Sequence, residues 1–133
     1  PHGRTNSILL PHVIEYNAQL PTKFAAFPKY KSFVADQKYA EIAKVLGLKA
    51  DTVEQGVLSL VQAIKDLMKE LNMPMSVEEC GIDKDTYFAA IEKLALDAFD
   101  DQCTPANPRL PLVTELHEIY KNIYPSSSNL PLG

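Results

Sequence analysis

The sequence has no tryptophan, only five glycines, two cysteines and no long apolar run. The glycines form no GxGxxG or GxxxxGK loop, so the chain carries no phosphate cradle of its own. Cys80 and Cys103 are too few for a disulfide framework and lack CxxC spacing, which points to a reduced, cytoplasmic setting. No apolar stretch approaches the roughly 18–20 residues that cross a bilayer, and the first residues lack a charged-then-apolar leader, so no membrane partner is expected. Clustered basic residues are also missing. Thirteen Lys and Arg are scattered among seventeen Asp and Glu, giving a net charge of −4 and an isoelectric point near 5.3. Nucleic acid is thereby excluded as a main partner, because phosphate binding needs grouped cations.

What is present is helical pattern. The 133 residues are 46% hydrophobic and 23% charged, enough for one compact domain with its own core. In DTVEQGVLSLVQAIKDLMKELN, Val53, Val57, Leu60, Val61, Ile64, Leu67, Met68 and Leu71 recur at three- and four-residue steps, which predicts a core helix. Asp51 with Glu54 fits its N-cap, and Gly56 costs the first turn roughly 1 kcal/mol against alanine. A second helix places Tyr39, Ile42, Ala43 and Leu46 on one face and stops at Gly47, a left-handed cap. Ser76 to Glu79 reads as one capped turn closed by Gly81. Two further helices carry Tyr87, Phe88, Ile91, Leu94, Ala95, Ala98 and Phe99, and Leu112, Val113, Leu116, Ile119, Tyr120 and Ile123, the latter with Pro111 at its first position. The opening helix buries Ile8, Leu9, His12, Val13 and Tyr16, and Pro11 should kink or break it. LPTKFAAFPKYKSFVA is expected to pack down, CTPANPRLP to form a fixed extended link, and residues 125–133 to form a mobile tail. The expected fold is all-α, with about five or six helices and no internal repeat.

Chemistry-bearing residues are sparse. His2 reads from the residues alone as an unanchored terminal side chain, or as one pinned by a turn and the helix behind it. His12 lies on an apolar face and reads as a core histidine, and His117, beside Glu118, as a surface residue. No three donors converge in sequence, although a catalytic zinc or iron needs that many. Cys103 follows Asp100 and Asp101, which oppose a reactive thiolate, so packing or lining a pocket suits it better than nucleophilic chemistry. Cys80 reads as a small buried residue. The carboxylates around Asp97, Asp100 and Asp101 read as a solvated face. There is no Ser-His-Asp arrangement.

PHGRTNSILLPHVIEYNA, KYAEIAKVLGL, LNMPMSVEECGI and DAFDDQCTPANPR together resemble, in order, segments of the iron-dependent alcohol dehydrogenases. The resemblance covers residues 1 to 124. FPKYKSFVADQKYAEIA and AFDDQCTPANPR are most similar to the bifunctional aldehyde–alcohol dehydrogenases of fermentative bacteria. It implies the C-terminal helical domain of that family, a dehydroquinate synthase-like helical region. In the family one aspartate and three histidines hold a divalent metal, iron or zinc, and the histidine of the PHG segment is the last of them. That implies His2 as a metal ligand, with Pro1 and Gly3 shaping the turn that presents it.

The resemblance further implies that the other three ligands, and the dinucleotide-binding domain that holds NAD, lie upstream of a cut edge at Pro1. Cys103 would line the pocket for a small alcohol or aldehyde substrate, such as ethanol and acetaldehyde. No catalytic residue is implied within the chain, and no cofactor-binding residue can be named. The parent would be a homo-oligomer or filament, and the chain alone is expected to be inactive. The competing expectation is a helical interaction or assembly module without catalysis, to which the apolar face of residues 8 to 16 could contribute by pairing with a second copy.

Overall fold

The computed structural model describes residues 2–22, 30 and 32–126. Five α-helices run through the described residues: α1 (His2–Ala18), α2 (Ala35–Val45), α3 (Val53–Glu70), α4 (Lys84–Asp100) and α5 (Val113–Asn122), with no strand among them. The all-α expectation is met. Helices α2 and α3 pack as one pair and α4 and α5 as another, and each pair has its own apolar cluster. Ile14, Ala43, Val57, Leu60 and Val61 make the first; Ile8, Val77, Tyr87, Ile91, Ile123 and Tyr124 make the second. Helix α1 enters both. Its Ile8 and Ile14 lie six residues apart, about 9 Å along the axis, so one helix ties the two pairs together.

This explains why Pro11 does not end α1. Its ring removes one backbone hydrogen bond, yet the helix runs on as one element with Pro11 buried between the two clusters. Packing on both sides of the interruption outweighs the lost bond. The buried face is also turned from the expected one: Ile8, Pro11, Ile14 and Asn17 are innermost, while Leu9, His12, Val13 and Tyr16 are half-buried.

Caps decide where the helices stop. Thr52, not Asp51, caps α3, its hydroxyl accepting from Gln55 N at 3.1 Å while Gln55 Oε1 accepts from Asp51 N at 3.0 Å. The reciprocal box is therefore shifted by one residue. After α2 the chain turns at Gly47 (φ 72°), with Gly47 N donating to Lys44 O and Leu48 N to Ala43 O. Asn72 (φ 53°) plays the same part after α3. Ser76 and Gly81 close the short 3-10 turn Glu78–Cys80 as expected. Pro111 is buried before α5 and does not open it; the helix begins at Val113, and Glu115 Oε2 accepts from Leu112 N at 2.9 Å.

The apolar stripes are narrower than the spacing suggests. Ile42 and Leu46 on α2, and Val53, Leu67 and Leu71 on α3, are exposed, as are parts of Phe88 and Phe99 on α4. On α2 the buried residues are Ala40 and Ala43, and their size is the point. Gly56 of α3 is buried against Ala40: a Cβ there would stand 2.8 Å from Ala40 Cβ and 2.9 Å from Ala40 Cα. The glycine is thus not merely a weak residue in a first turn but the notch into which α2 fits. Gly56→Ala is expected to destabilise the chain by about 1–3 kcal/mol through overpacking, despite a propensity gain of about 1 kcal/mol. Urea unfolding decides the sign.

Half of LPTKFAAFPKYKSFVA (residues 23–29 and 31) and the tail from residue 127 lie outside the described residues. Within what is described, Tyr30 Oη accepts from Leu110 N at 2.9 Å, and Ser126 N donates to Glu78 Oε2 at 2.8 Å.

Candidate functional site

His2 is the first residue of α1 and is exposed. From His2 onward the chain is helical, so Gly3 does not shape a bend. Gly3 has no positive φ, and a Cβ on it would meet nothing within 4 Å. Asn6, one helical turn on, faces the ring, with Nδ2 2.9 Å from His2 Nε2. Among the described residues no three His, Cys, Asp or Glu side chains converge on a metal position. A neutral imidazole is a suitable iron or zinc donor, and an exposed one at a helix tip can be reached from outside. His2 therefore has the donor chemistry and the access that a metal ligand needs.

Cys103 is exposed on the connection between α4 and α5, at the head of the 3-10 turn Thr104–Ala106. Its backbone N donates to Asp101 Oδ1 at 2.7 Å. Cys80 is exposed as well, contrary to the buried reading. The short turn that carries it buries Ser76 and Val77 and leaves Cys80 beside an apolar cavity of about 250 Å³, shared with Arg4, Ile8 and Ile123.

The CTPANPRLP link is not extended. It coils into the 3-10 turn, where the Thr104 hydroxyl donates to Ala98 O, and is then clasped to α1. Asn107 and Asn17 exchange side-chain amide bonds at 2.7 and 3.2 Å. The Arg109 guanidinium lies 4.1 Å from the Tyr16 ring centroid and donates to Tyr16 O and Gln19 Oε1, each at 3.0 Å. Its other nitrogen meets Glu115 Oε1 at 3.2 Å, and the Tyr16 hydroxyl donates to Glu115 Oε2 at 2.9 Å. Burial, and then the bond to Glu115, hold the Tyr16 phenol well above its usual pKa.

This clasp escaped the sequence reading, which treated the prolines as the message of that stretch. The available signal was the run of amide and guanidinium side chains in ANPR with Glu115 just beyond. An open cleft of about 410 Å³ lies beside the clasp, lined by His12, Glu15, Tyr16, Arg109, Glu115 and Glu118 among others. His12 is thus half-buried at a polar cleft rather than a core residue. Burial pulls its pKa down, opposed by the Glu15 carboxylate and helped by the Lys65 ammonium. Neither His2 nor Cys103 lines this cleft.

A family model described as "Fe-containing alcohol dehydrogenase family, C-terminal" matches residues 1–124, from the PHG segment through the end of α5. The chain belongs to the iron-containing alcohol dehydrogenase family. It is 47% identical over 123 residues to an aldehyde-alcohol dehydrogenase of Streptococcus pneumoniae serotype 4, covering 92% of this chain and 14% of that protein. It is 44% identical over 124 residues to aldehyde-alcohol dehydrogenase 2 of Entamoeba histolytica, covering 93% and 14%. Against the bifunctional aldehyde-alcohol dehydrogenase of Escherichia coli K12 it is 44% identical over 127 residues, again 93% and 14%. The chain thus spans about one seventh of the length of these relatives. Within the iron-containing alcohol dehydrogenase family, both the helical tip that carries His2 and the clasp that carries Arg109 fall inside the matched residues.

Proposed function

We propose that this chain is the helical C-terminal part of a metal- and nicotinamide-dependent alcohol dehydrogenase that interconverts a short aldehyde, such as acetaldehyde, and its alcohol. The observation that carries the reading is His2: an exposed imidazole at the tip of α1, inside a family match that starts at the PHG segment. Upstream residues would supply three further ligands, one aspartate and two histidines, and the fold that binds NAD. When bound, the divalent ion, iron or zinc, supplies a Lewis acid for a carbonyl or alkoxide oxygen.

The overall exchange balances as aldehyde plus NADH and a proton giving alcohol plus NAD+. The chain's own part is positional. His2 holds one coordination position, and α1, buried in both apolar clusters, fixes where that position lies. The exposed Cys103 serves as a lining residue of the substrate pocket once the upstream domain is in place.

The assembly reading draws support from Val45, Leu46 and Leu58, which are 86%, 60% and 58% exposed. Such surface suits contacts with the upstream domain and, in a homo-oligomer or filament, with a second copy. It leaves the PHG segment unexplained, so the dehydrogenase reading is preferred. The test is acetaldehyde-dependent NADH consumption. The whole protein is expected to consume NADH and to stop on chelation, and the 133-residue chain alone to consume none. Activity that survives removal of all metal, or activity of the chain alone, would overturn the proposal.

A further inference from the structure

We infer that Asn6 is a placeholder for the metal: its amide occupies the His2 lone pair through which an ion would be held, and must release it before the metal binds. The inference rests on the proposed role of His2 as a ligand. Residues four apart share a helix face, and side chains lean toward the helix N-terminus, so Asn6 reaches back onto His2. Its Nδ2 stands 2.9 Å from His2 Nε2.

An amide nitrogen has only hydrogens to give, so Nε2 accepts, and a neutral ring then carries its proton on Nδ1. Nε2 is thus the ring nitrogen with a lone pair to offer, and an imidazole binds a metal through that lone pair. Asn6 and the ion compete for it. The sign follows from linkage. A bond made only in the metal-free state lowers the fraction of His2 that is ready to bind, and raises the apparent Kd by the same factor. Packing does not fix the ring, since His2 is exposed and lies outside both apolar clusters. Helix formation gives no reason for an asparagine at position 6 either. The position is exposed and inside a helix, where asparagine is a poorer residue than alanine.

The test is Zn²⁺ affinity of the whole metal-free protein, measured for wild type, Asn6→Ala, Asn6→Leu and His2→Ala, with circular dichroism to verify the fold. Neither alanine nor leucine can donate to the ring, and leucine keeps most of the bulk of asparagine. Both Asn6 variants are expected to bind Zn²⁺ about two- to tenfold more tightly, the range set by losing competition from one exposed hydrogen bond. Loss of a merely structural residue would weaken binding or leave it alone. Nitrogen chemical shifts of metal-free His2 should report the Nδ1–H tautomer in wild type and a mixture in Asn6→Ala. Unchanged or weaker binding in either Asn6 variant, with His2→Ala binding lost, overturns the role of Asn6 alone, as does a wild-type tautomer in Asn6→Ala. Wild-type affinity in His2→Ala overturns the ligand assignment beneath it.

Discussion

His2→Ala is expected to cost the whole protein its metal and its alcohol dehydrogenase activity together, while leaving its fold intact. The side chain is exposed at the first position of α1 and enters neither apolar cluster, so its loss creates no cavity. Removing one imidazole from a four-donor set should weaken metal binding by more than about 100-fold, beyond the loss produced by outer-shell changes. A Lewis acid contributes several kcal/mol to the barrier, and about 1.4 kcal/mol is tenfold in rate, so kcat/KM for acetaldehyde reduction should fall about a thousandfold or more.

The control lies on the same helix. His12→Gln changes a half-buried imidazole beside Glu15 and Lys65 and is expected to leave metal content unchanged. Metal analysis and NADH absorbance read both variants. If His2→Ala keeps its metal, the PHG segment is not a ligand segment and the assembly reading gains ground. If His12→Gln loses it as fully, the ligand has been placed on the wrong histidine.

What the sequence conveyed well was whatever is encoded locally. The α3 stripe spans five turns, so its period is unambiguous, and Gly47 and Gly81 mark left-handed stops that few other residues adopt. What it conveyed poorly depends on partners distant in the chain. Gly56 looked like a defect because Ala40, whose methyl occupies the space of its missing Cβ, is sixteen residues earlier. Pro11 looked like a break because its cost is local while the packing that outweighs it comes from α3, α4 and the turn at Val77. Cys80 looked buried on residue type, but it is the preceding Ser76 and Val77 that turn inward, and none of the three residues of the turn they lead into is buried. The site divides the same way. Spacing alone left His2 a terminal residue; its reading as a ligand comes from the ordered resemblance. The Asn17–Asn107 and Tyr16–Glu115 pairs join residues some ninety to a hundred apart, and no periodicity reports such pairs.

The clasp carries the other large expected effect. Glu115→Ala should destabilise the chain by about 3 kcal/mol, because one carboxylate serves three donors at once. Its Oε1 meets Arg109, and its Oε2 accepts from the Tyr16 hydroxyl and from Leu112 N. Arg109 and Glu115 side chains are only 12% and 17% exposed, so water can replace little of what is lost, and the guanidinium is left as a charge without its counterion. Its bonds to Tyr16 O and Gln19 and its stacking on the Tyr16 ring remain, which keeps the loss below that of a fully stranded buried charge. Glu115→Gln retains an acceptor but not the charge, and should cost about half as much. In a double-mutant cycle with Arg109→Ala, a coupling of about 1–3 kcal/mol is expected from urea unfolding. Coupling below about 0.5 kcal/mol would mean that the pair behaves like an exposed surface ion pair and that the clasp holds through Asn17 and Asn107 instead. The consequence reaches the far end of α1. Tyr16 and His2 are fourteen residues apart on one helix, about 21 Å, and a helix pinned at its C-terminal turn and buried at Ile8 and Ile14 has little freedom left at its tip. Loosening the clasp should therefore blunt the placement of His2 without touching it.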